Sequence, residues 1–373
     1  MASTSFNQEI SIGGRIIREG RPVFVIAEAG INHNGDLSLA KKLVDAAKAA
    51  GADAVKFQTF IAEEEVTQKL KKVEYQKGGA ADQESYFDMI KKWEFSRAQW
   101  QELVEYCAKA GILFLSTPSE EVSARLLQSL GVPAYKIGSN DLVTIPMLEE
   151  IFPWHKPVLL STGMAMPDEI GEALSAAQTA GNRDIIVLHC TSSYPTPAHE
   201  LNLRAIQTLH SAFGTLVGFS DHSAGVVAAP LAVLLGATVV ETHMTLDKSL
   251  PGPDQRMALN PEEFKTLVDA IRAAEGIPQG EREAAIQKVP NAEVMLGTGV
   301  KTPTSAEMEM RLATRKGIVA RRAIQKGEVI TKDMLAYKRP YEGLPAKDYG
   351  QVVGRRTQQQ IEQDEFITMG MLA

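Results

Sequence analysis

A repeated pattern of hydrophobic and polar positions organises most of the chain. A helical run leads to a glycine, and a short apolar strand that ends in polar residues follows. The pattern occurs at AAGADAVKFQT, KAGILFLSTP, SLGVPAYKIGS, TAGNRDIIVLHCT and LLGATVVETHMT. Glycine suits the end of each helix because it adopts the left-handed conformation without steric cost. Nearly continuous apolar strands are typical of parallel sheets that are buried on both faces.

Three further apolar runs, at residues 23–28, 157–162 and 216–220, fit the same spacing and bring the number of predicted strands to eight. Eight alternating strands and helices in about 250 residues predict the α/β class and a parallel (β/α)8 TIM barrel over residues 23–276. A doubly wound open sheet is the alternative, because the pattern does not show whether the sheet closes.

The segments outside this pattern predict further units. Residues 1–22 contain a predicted N-terminal hairpin. Residues 61–96 are too long for an ordinary connection in a barrel, which favours a lid or a dimer contact. Residues 277–305 are interrupted by proline and glycine and predict a linker. Residues 306–373 predict a small β-rich second domain.

Composition limits the class of protein. The chain has 373 residues, of which 44% are hydrophobic and 23% charged, and this excludes general disorder. Two cysteines, Cys107 and Cys190, cannot form a disulfide framework and favour a reduced, cytoplasmic protein. The amino terminus lacks a secretory pattern, and the longest uncharged run, 224–240, is broken by glycine and proline. We expect neither a membrane nor a nucleic acid as partner.

Polar side chains cluster where the predicted strands end. In a TIM barrel these ends meet at one rim, together with the functional loops. The rim set is Glu28, Lys56, Gln58, Ser116, Thr117, Lys136, Ser139, Ser161, Thr162, His189, Thr191, Ser220, Asp221, His222, Glu241 and His243. A purely structural barrel has no need for so many ionisable groups at one rim, so this set predicts an active site.

Two lysines of the rim lie in apolar strands, where an unpaired charge is costly. Lys56 and Lys136 would hold a phosphate or a carboxylate together with the hydroxyl groups of Ser139, Ser161 and Ser220. Two other interpretations stay open. The lysines pair internally with the rim glutamates, or one of them is a Schiff-base nucleophile as in aldolases.

Two histidines end consecutive predicted strands. His222 and His243 should therefore face one another at the rim, which suits two imidazole ligands of a divalent metal. Structural histidines are the alternative. Asp254, in a stiff turn just beyond the last strand, either contacts a substrate hydroxyl or caps the turn.

Short motifs at these strand ends follow one another in a specific order. They are AEAGINHNG (27–35), KFQT (56–59), YKIGS (135–139), STGM (161–164), HCT (189–191), YPTP (194–197), SDH (220–222) and PGPD (251–254). In this order they resemble the sialic acid synthases through nearly the whole chain. The resemblance implies a TIM barrel followed by an antifreeze-like (SAF, β-clip) domain, and a domain-swapped homodimer.

The resemblance also implies an enzyme, a transferase that condenses phosphoenolpyruvate with an open-chain N-acylated mannosamine. N-acetylmannosamine, giving N-acetylneuraminate, is the first expectation. The second is 2,4-diacetamido-2,4,6-trideoxymannose, giving N,N'-diacetyllegionaminate. A Schiff-base aldolase and a non-catalytic glycan- or ice-binding protein are alternatives of other classes.

Residue roles follow from the same resemblance. Phosphoenolpyruvate would be held by Lys56, Lys136, Ser139, Ser161 and Ser220. A divalent metal, first Mn2+ and otherwise Mg2+ or Co2+, would be bound by His222 and His243. The sugar would be contacted by Glu28, Gln58, Tyr194 and Asp254, and Glu28 would also help to activate water. The catalytic set is then Glu28, Lys56, Lys136, His222 and His243.

Three further positions complete the substrate site that the resemblance implies. Asp141 stands where many relatives have glutamate, and Ser192 where some have asparagine near the phosphate. Arg339 matches an arginine that reaches the sugar's acyl group from the second subunit. It lies in residues 311–356, which contain twelve Lys or Arg and four Asp or Glu in a chain of net charge −7.

Overall fold

The computed structural model describes residues 5–67 and 85–373. It begins with an antiparallel hairpin of β1 (Ile10–Ile12) and β2 (Arg15–Ile17). Ile10, Ile12 and Ile17 are buried in one apolar cluster with Phe24 and Ile26 of the first barrel strand. The hairpin therefore packs against the interior layer of the barrel. Residues 68–84 of the predicted lid lie outside the described residues.

Eight parallel strands form the barrel. They are β3 (Phe24–Gly30), β4 (Ala54–Thr59), β5 (Leu113–Pro118), β6 (Tyr135–Ile137), β7 (Val158–Ser161), β8 (Ile185–Cys190), β9 (Leu216–Asp221) and β10 (Val239–His243). The hydrogen-bonded order is β5-β4-β3-β10-β9-β8-β7-β6, and β5 also contacts β6. Because β3 pairs with β10, the first and last strands meet and the doubly wound alternative is wrong. The predicted (β/α)8 barrel is confirmed.

Helices alternate with these strands. They are α1 (Leu37–Ala49), α2 (Ala62–Glu65), α3 (Tyr86–Trp93), α4 (Arg97–Ala110), α5 (Glu121–Leu130), α6 (Ile145–Ile151), α7 (Pro167–Thr179), α8 (Ala205–Phe213), α9 (Ala228–Leu234) and α10 (Pro261–Glu275). Gly111 and Gly131 end α4 and α5 in the left-handed conformation, with φ of 70° and 75°. Asn260 begins α10 through a capping box with Glu263. Among the helices of residues 5–67 and 85–373, none is both long and apolar enough to cross a bilayer.

The segment 277–305, for which the sequence predicts a linker, contains two short helices instead. They are α11 (Arg282–Gln287) and α12 (Ala292–Leu296). Ala292, Met295 and Leu296 are buried in the same apolar cluster as the barrel helices. The segment is therefore packed onto the barrel. Its glycines and prolines interrupt short helices, whose few residues carry too little periodicity to reveal them.

A ten-residue helix, α13 (Ser305–Thr314), leads into the C-terminal domain. There β11 (Gly317–Ala320) pairs antiparallel with β12 (Leu335–Lys338), and isolated bridges join the remaining extended segments. The domain has its own apolar core, built from Ile318, Ile324, Ile330, Val352, Ile361 and Ile367 among others. It lies on the barrel of its own chain through ion pairs such as Arg321–Glu64 and Lys347–Glu172.

Candidate active site

A cavity opens at the carboxyl ends of the barrel strands, beneath the C-terminal domain. The residues to which the sequence analysis assigns substrate or metal all line it: Glu28, Lys56, Gln58, Lys136, Ser139, Asp141, Ser161, Ser192, Tyr194, Ser220, His222, His243, Asp254 and Arg339. They come from strand ends, from the loops that follow, and from the C-terminal domain. The barrel thus brings together side chains that lie far apart in the sequence, while their roles stay predictions.

Two lysines and two glutamates form a buried charge cluster on the cavity wall. Lys56 Nζ lies 2.6 Å from Glu28 Oε2 and 3.8 Å from Glu241 Oε2, and Lys136 Nζ lies 3.2 Å from Glu241 Oε1. The internal pairing left open above is therefore present. Buried ion pairs contribute little net stability because desolvation offsets their attraction. Such a cluster in a cavity is better explained by function.

Burial and neighbouring charges separate the four pKa values. Burial raises the pKa of Glu28 despite the attraction of Lys56, and burial lowers the pKa of Lys136. For Glu241, burial is outweighed by the ammonium groups of Lys136 and Lys56, which lower its pKa to about 2. For Lys56, burial is outweighed by the carboxylates of Glu241 and Glu28, which raise its pKa. Glu28 is therefore the carboxylate of the cluster that most readily carries a proton.

Hydroxyl groups surround the lysines. Thr117 Oγ1 accepts a hydrogen bond from Lys56 Nζ at 3.1 Å, and Ser220 Oγ donates to Glu241 Oε1 at 3.2 Å. Ser161 Oγ is buried and has no hydrogen-bond partner among the described residues. A buried hydroxyl of this kind is costly unless a ligand satisfies it. Ammonium groups and a free hydroxyl on one wall are suited to a carboxylate or a phosphate.

The two rim imidazoles face each other. The ring centroids of His222 and His243 are 5.5 Å apart, with an interplanar angle of 49°. His222 Nδ1 donates to the carbonyl oxygen of Thr191 at 2.8 Å, and the neighbouring Cys190 outweighs burial and raises the pKa of His222 to about 9. Nε2 therefore offers a lone pair to a metal once the ring gives up its proton. His243 Nδ1 is buried without a hydrogen-bond partner among the described residues. Burial and the cationic His222 and Lys56 lower the pKa of His243 to about 3, so this ring is neutral.

This donor set fits a divalent metal through two imidazoles. A neutral ring with an unsatisfied buried nitrogen and a second ring oriented by a carbonyl are the features of histidine ligands. Asp254 Oδ2 lies 3.9 Å from His243 Nδ1. Within the described chain, no three His, Cys, Asp or Glu side chains are grouped closely enough to hold a metal alone. The protein would supply two ligands and leave the other positions to water or substrate.

Other predicted contacts form the outer part of the cavity. The ring of Tyr194 packs on His222 at 4.2 Å between centroids. Gln58 Nε2 donates to Glu28 Oε1 at 3.0 Å. Burial raises the pKa of Asp254 to about 6. These groups line the same cavity as the two imidazoles and offer polar contacts to a substrate.

Two cavity residues have partners that the sequence does not predict. Arg339 reaches the cavity of its own chain, where its Nη2 lies 3.1 Å from Glu65 Oε1, so this arrangement needs no second subunit. Asp141 is paired with Lys316 of the C-terminal domain at 2.8 Å between Nζ and Oδ1. The C-terminal domain therefore contributes charged side chains to the site in two places.

Sequence reasoning misses further residues around the rim. Glu307 and Arg315, at the two ends of α13, and Lys301 before it are all buried against barrel loops. The sequence contains a signal for only one of these residues. The T-S-A-E sequence at 304–307 is a helix capping box, which predicts the start of α13 but not the burial of its glutamate.

Known proteins were compared with this chain. A model of the NeuB family matches residues 43–283, and a model of the SAF domain matches residues 315–373. The N,N'-diacetyllegionaminic acid synthase of Campylobacter jejuni is 40% identical over 349 residues, covering 93% of this chain and 99% of that protein. The N-acetylneuraminate-9-phosphate synthase of Homo sapiens is 32% identical over 357 residues, covering 95% and 94%.

A solved structure agrees with these matches. The spore coat polysaccharide biosynthesis protein SpsE of Bacillus subtilis superimposes with a TM-score of 0.82 at 37% identity, covering 98% of this chain and 99% of that one. The match covers both domains of this chain in the same order. The chain is an enzyme that belongs to the NeuB family and carries a C-terminal SAF domain.

Proposed function

We propose that this enzyme condenses phosphoenolpyruvate with an open-chain N-acylated mannosamine to give a nine-carbon keto acid and inorganic phosphate. The observation that carries the proposal is the buried lysine–glutamate cluster lying beside two facing imidazoles in one cavity of a NeuB-family chain. Joining an enol phosphate to an aldehyde requires an anion-binding site next to a metal site, and the two imidazoles would supply the ligands of that metal.

The reaction balances with one proton taken up and one released. C3 of phosphoenolpyruvate attacks the aldehyde carbon, and the aldehyde oxygen becomes a hydroxyl by accepting a proton. Water then adds to the cationic C2 and gives up a proton. The bond between C2 and the phosphate oxygen breaks, and the proton of the C2 hydroxyl passes to the departing phosphate, which leaves the ketone. A group that accepts a proton from water can return one to the sugar oxygen.

The cavity residues divide these tasks. Lys56 and Lys136 would hold the carboxylate and phosphate of phosphoenolpyruvate, and Ser161 would supply a hydroxyl donor to the same anions. Glu28 would carry the proton, since burial raises the pKa of its carboxyl group. A divalent metal on His222 and His243, with Mn2+ the first choice and Mg2+ or Co2+ possible, would polarise the sugar aldehyde.

The choice of sugar is the finer part of the proposal. The resemblance in the sequence motifs places N-acetylmannosamine first. The higher identity to a legionaminic acid synthase, 40% against 32% for the human neuraminate 9-phosphate enzyme, favours 2,4-diacetamido-2,4,6-trideoxymannose instead. We therefore propose this second sugar as the substrate and a legionaminate-type acid as the product.

Phosphate release measured with each sugar tests the proposal. We expect kcat/KM for the diacetamido sugar to exceed that for N-acetylmannosamine at least tenfold. The opposite order would overturn the choice of sugar and leave the reaction intact. No phosphate release with either sugar, in the presence of phosphoenolpyruvate and Mn2+, would overturn the reaction itself.

A domain-swapped homodimer is proposed from the family resemblance, and mixed dimers test it. His243→Ala damages the barrel half of the site, and Arg339→Ala damages the half from the SAF domain. If the SAF domain serves the partner's barrel, co-refolding the two variants creates one intact site per heterodimer, and turnover with the wild-type KM for the sugar returns. If each SAF domain serves its own barrel, as in the single chain, no intact site forms and the mixture keeps the raised KM of Arg339→Ala.

A Schiff-base aldolase is the second candidate, because burial lowers the pKa of Lys136 and a less protonated amine is a better nucleophile. Borohydride reduction in the presence of pyruvate distinguishes the two. An aldolase gains a covalent pyruvyl mass on Lys136 or Lys56, whereas we expect an unchanged mass. Lys136→Met provides the control that identifies the labelled residue.

A further inference from the structure

Glu307 belongs to α13, outside the barrel, yet its carboxylate is inserted between two barrel loops. Its Oε1 accepts hydrogen bonds from the backbone N–H groups of Met164 at 2.7 Å and Ser192 at 2.8 Å. Its Oε2 accepts from the N–H of Thr304 at 2.9 Å. The residue is 1% exposed. One buried carboxylate thus joins the loop after β7 to the loop after β8.

The loop after β7 needs this support. Met164 has a φ of 59°, a left-handed conformation that costs a residue other than glycine on the order of 1 kcal/mol. Its N–H is held by Glu307, and its carbonyl oxygen accepts from Arg315 Nη2 at 3.2 Å. Both supporting residues come from the segment that follows the barrel. The turn is therefore fixed from outside the barrel.

This turn shapes one wall of the cavity, where Ser139, Ser161 and Ser192 line the cavity and Gly163 lies against two of them. Ser139 Oγ accepts from the N–H of Gly163 at 3.0 Å. A Cβ atom on Gly163 would lie 2.2 Å from Ser192 Oγ and 2.7 Å from Ser139 Oγ, so the wall has no spare room. A shift of a few tenths of an ångström in either loop would therefore displace all of these hydroxyl groups at the same time.

We infer that Glu307 is a positioning residue for the phosphoenolpyruvate site: it ties the loops after β7 and β8 together and so sets the spacing of the serine wall. The inference rests on the proposed function, because the resemblance behind that function places Ser139, Ser161 and Ser192 at phosphoenolpyruvate. Glu307 itself touches backbone rather than substrate. Its effect should therefore fall on one substrate, the anion that this wall binds.

Two other roles predict different outcomes. If Glu307 only caps α13, its loss is equivalent to losing Thr304, whose Oγ1 accepts the Glu307 N–H at 3.2 Å. If Glu307 only stabilises the fold, its loss weakens both substrates alike. Thr304→Ala is thus the control for capping. Glu309→Ala, an exposed glutamate on the same helix, is the control for charge.

The experiment compares Glu307→Ala and Glu307→Gln with both controls. We measure KM for each substrate by phosphate release, and the thermal shift that phosphoenolpyruvate alone produces. We expect Glu307→Ala to raise KM for phosphoenolpyruvate at least tenfold and KM for the sugar less than twofold. Glu307→Gln keeps an acceptor oxygen for both N–H groups and should lie in between. Both controls should resemble the wild type.

Three results would overturn the inference: an unchanged KM for phosphoenolpyruvate in Glu307→Ala, an equal rise in both KM values, or the same rise in Thr304→Ala. If Glu307→Ala does not fold, Glu307→Gln decides by the same criteria. Failure of the proposed function is distinguishable, because the wild type would then release no phosphate. The thermal shift by phosphoenolpyruvate would still rank the variants in that case.

Discussion

Removing one partner of the ion pair between Lys316 and Asp141 should destabilise the protein far more than removing one partner of a surface pair. Each side chain is 1% exposed, and Nζ lies 2.8 Å from Oδ1. Lys316 Nζ also donates to the carbonyl oxygen of Ser119, and Asp141 Oδ1 accepts from Thr144 Oγ1. Replacing Lys316 by methionine keeps the length of the side chain and removes its charge. Asp141 is then left as a buried carboxylate without a cation.

Removing one partner of a buried ion pair costs about 3–5 kcal/mol, whereas an exposed pair contributes less than about 1 kcal/mol. We therefore expect Lys316→Met to lower the free energy of unfolding by about 3–5 kcal/mol. Lys265→Met is the matched control, since Lys265 pairs with Asp269 at 2.8 Å but the two side chains are 58% and 64% exposed. That control should cost less than about 1 kcal/mol.

Urea unfolding followed by tryptophan fluorescence measures the free energy of unfolding. Trp93, Trp100 and Trp154 all lie in the barrel part of the chain, which also contains Asp141, so their fluorescence reports unfolding of the barrel. The double variant Asp141→Asn with Lys316→Met removes the stranded charge. It should therefore be more stable than Lys316→Met alone, which is a non-additivity that only coupled residues show. A cost below about 1 kcal/mol for Lys316→Met would refute the reasoning.

Three further predictions concern metal, pH and sugar. His243→Ala should reduce turnover at least ~100-fold in Mn2+-saturated buffer with an unchanged unfolding temperature, and near-normal turnover would contradict a ligand role. Burial lowers the pKa of His33 to about 4 and of His189 to about 3, below the unfolded value of 6.5. The unfolded chain therefore binds more protons below pH 6.5, and stability present above that pH is lost on acidification, by about 2 kcal/mol per imidazole between pH 7.5 and 5. Urea titrations at both pH values check this, and His189→Gln should remove about 2 kcal/mol of the loss, the share of one imidazole. Arg339→Ala should weaken sugar binding by about 1.5–3 kcal/mol, measured as a rise in KM for the sugar. A rise confined to the KM for phosphoenolpyruvate would be inconsistent with sugar contact.

The barrel could be predicted from the sequence because its signals are local. Gly111 and Gly131 adopt the left-handed conformation that the pattern requires, and a strand begins within four residues of each. The rim could be predicted for the same reason, since polar residues that end parallel strands meet at one edge. Lys56 and His243 lie in the cavity as this rule expects.

Partners that depend on register and domain packing could not be predicted. Strand order predicts Lys56 beside Glu28, because β4 pairs with β3, but it does not predict that Lys56 and Lys136 also share Glu241 of the non-adjacent strand β10. The short helices after residue 276 contain too few turns for periodicity to reveal them. The capping box identifies Glu307 as a helix start, but a capping glutamate is usually solvated, and only the packing of α13 on the barrel buries it.

The pairing of β3 with β10 has a consequence for how the enzyme matures. The register places His243 opposite Glu28, so a proposed metal ligand and the proposed proton carrier become neighbours only when the last strand joins the first. During synthesis these two side chains stay apart until β10 has formed and paired with β3. We therefore expect a chain that is truncated before β10 to release no phosphate from phosphoenolpyruvate.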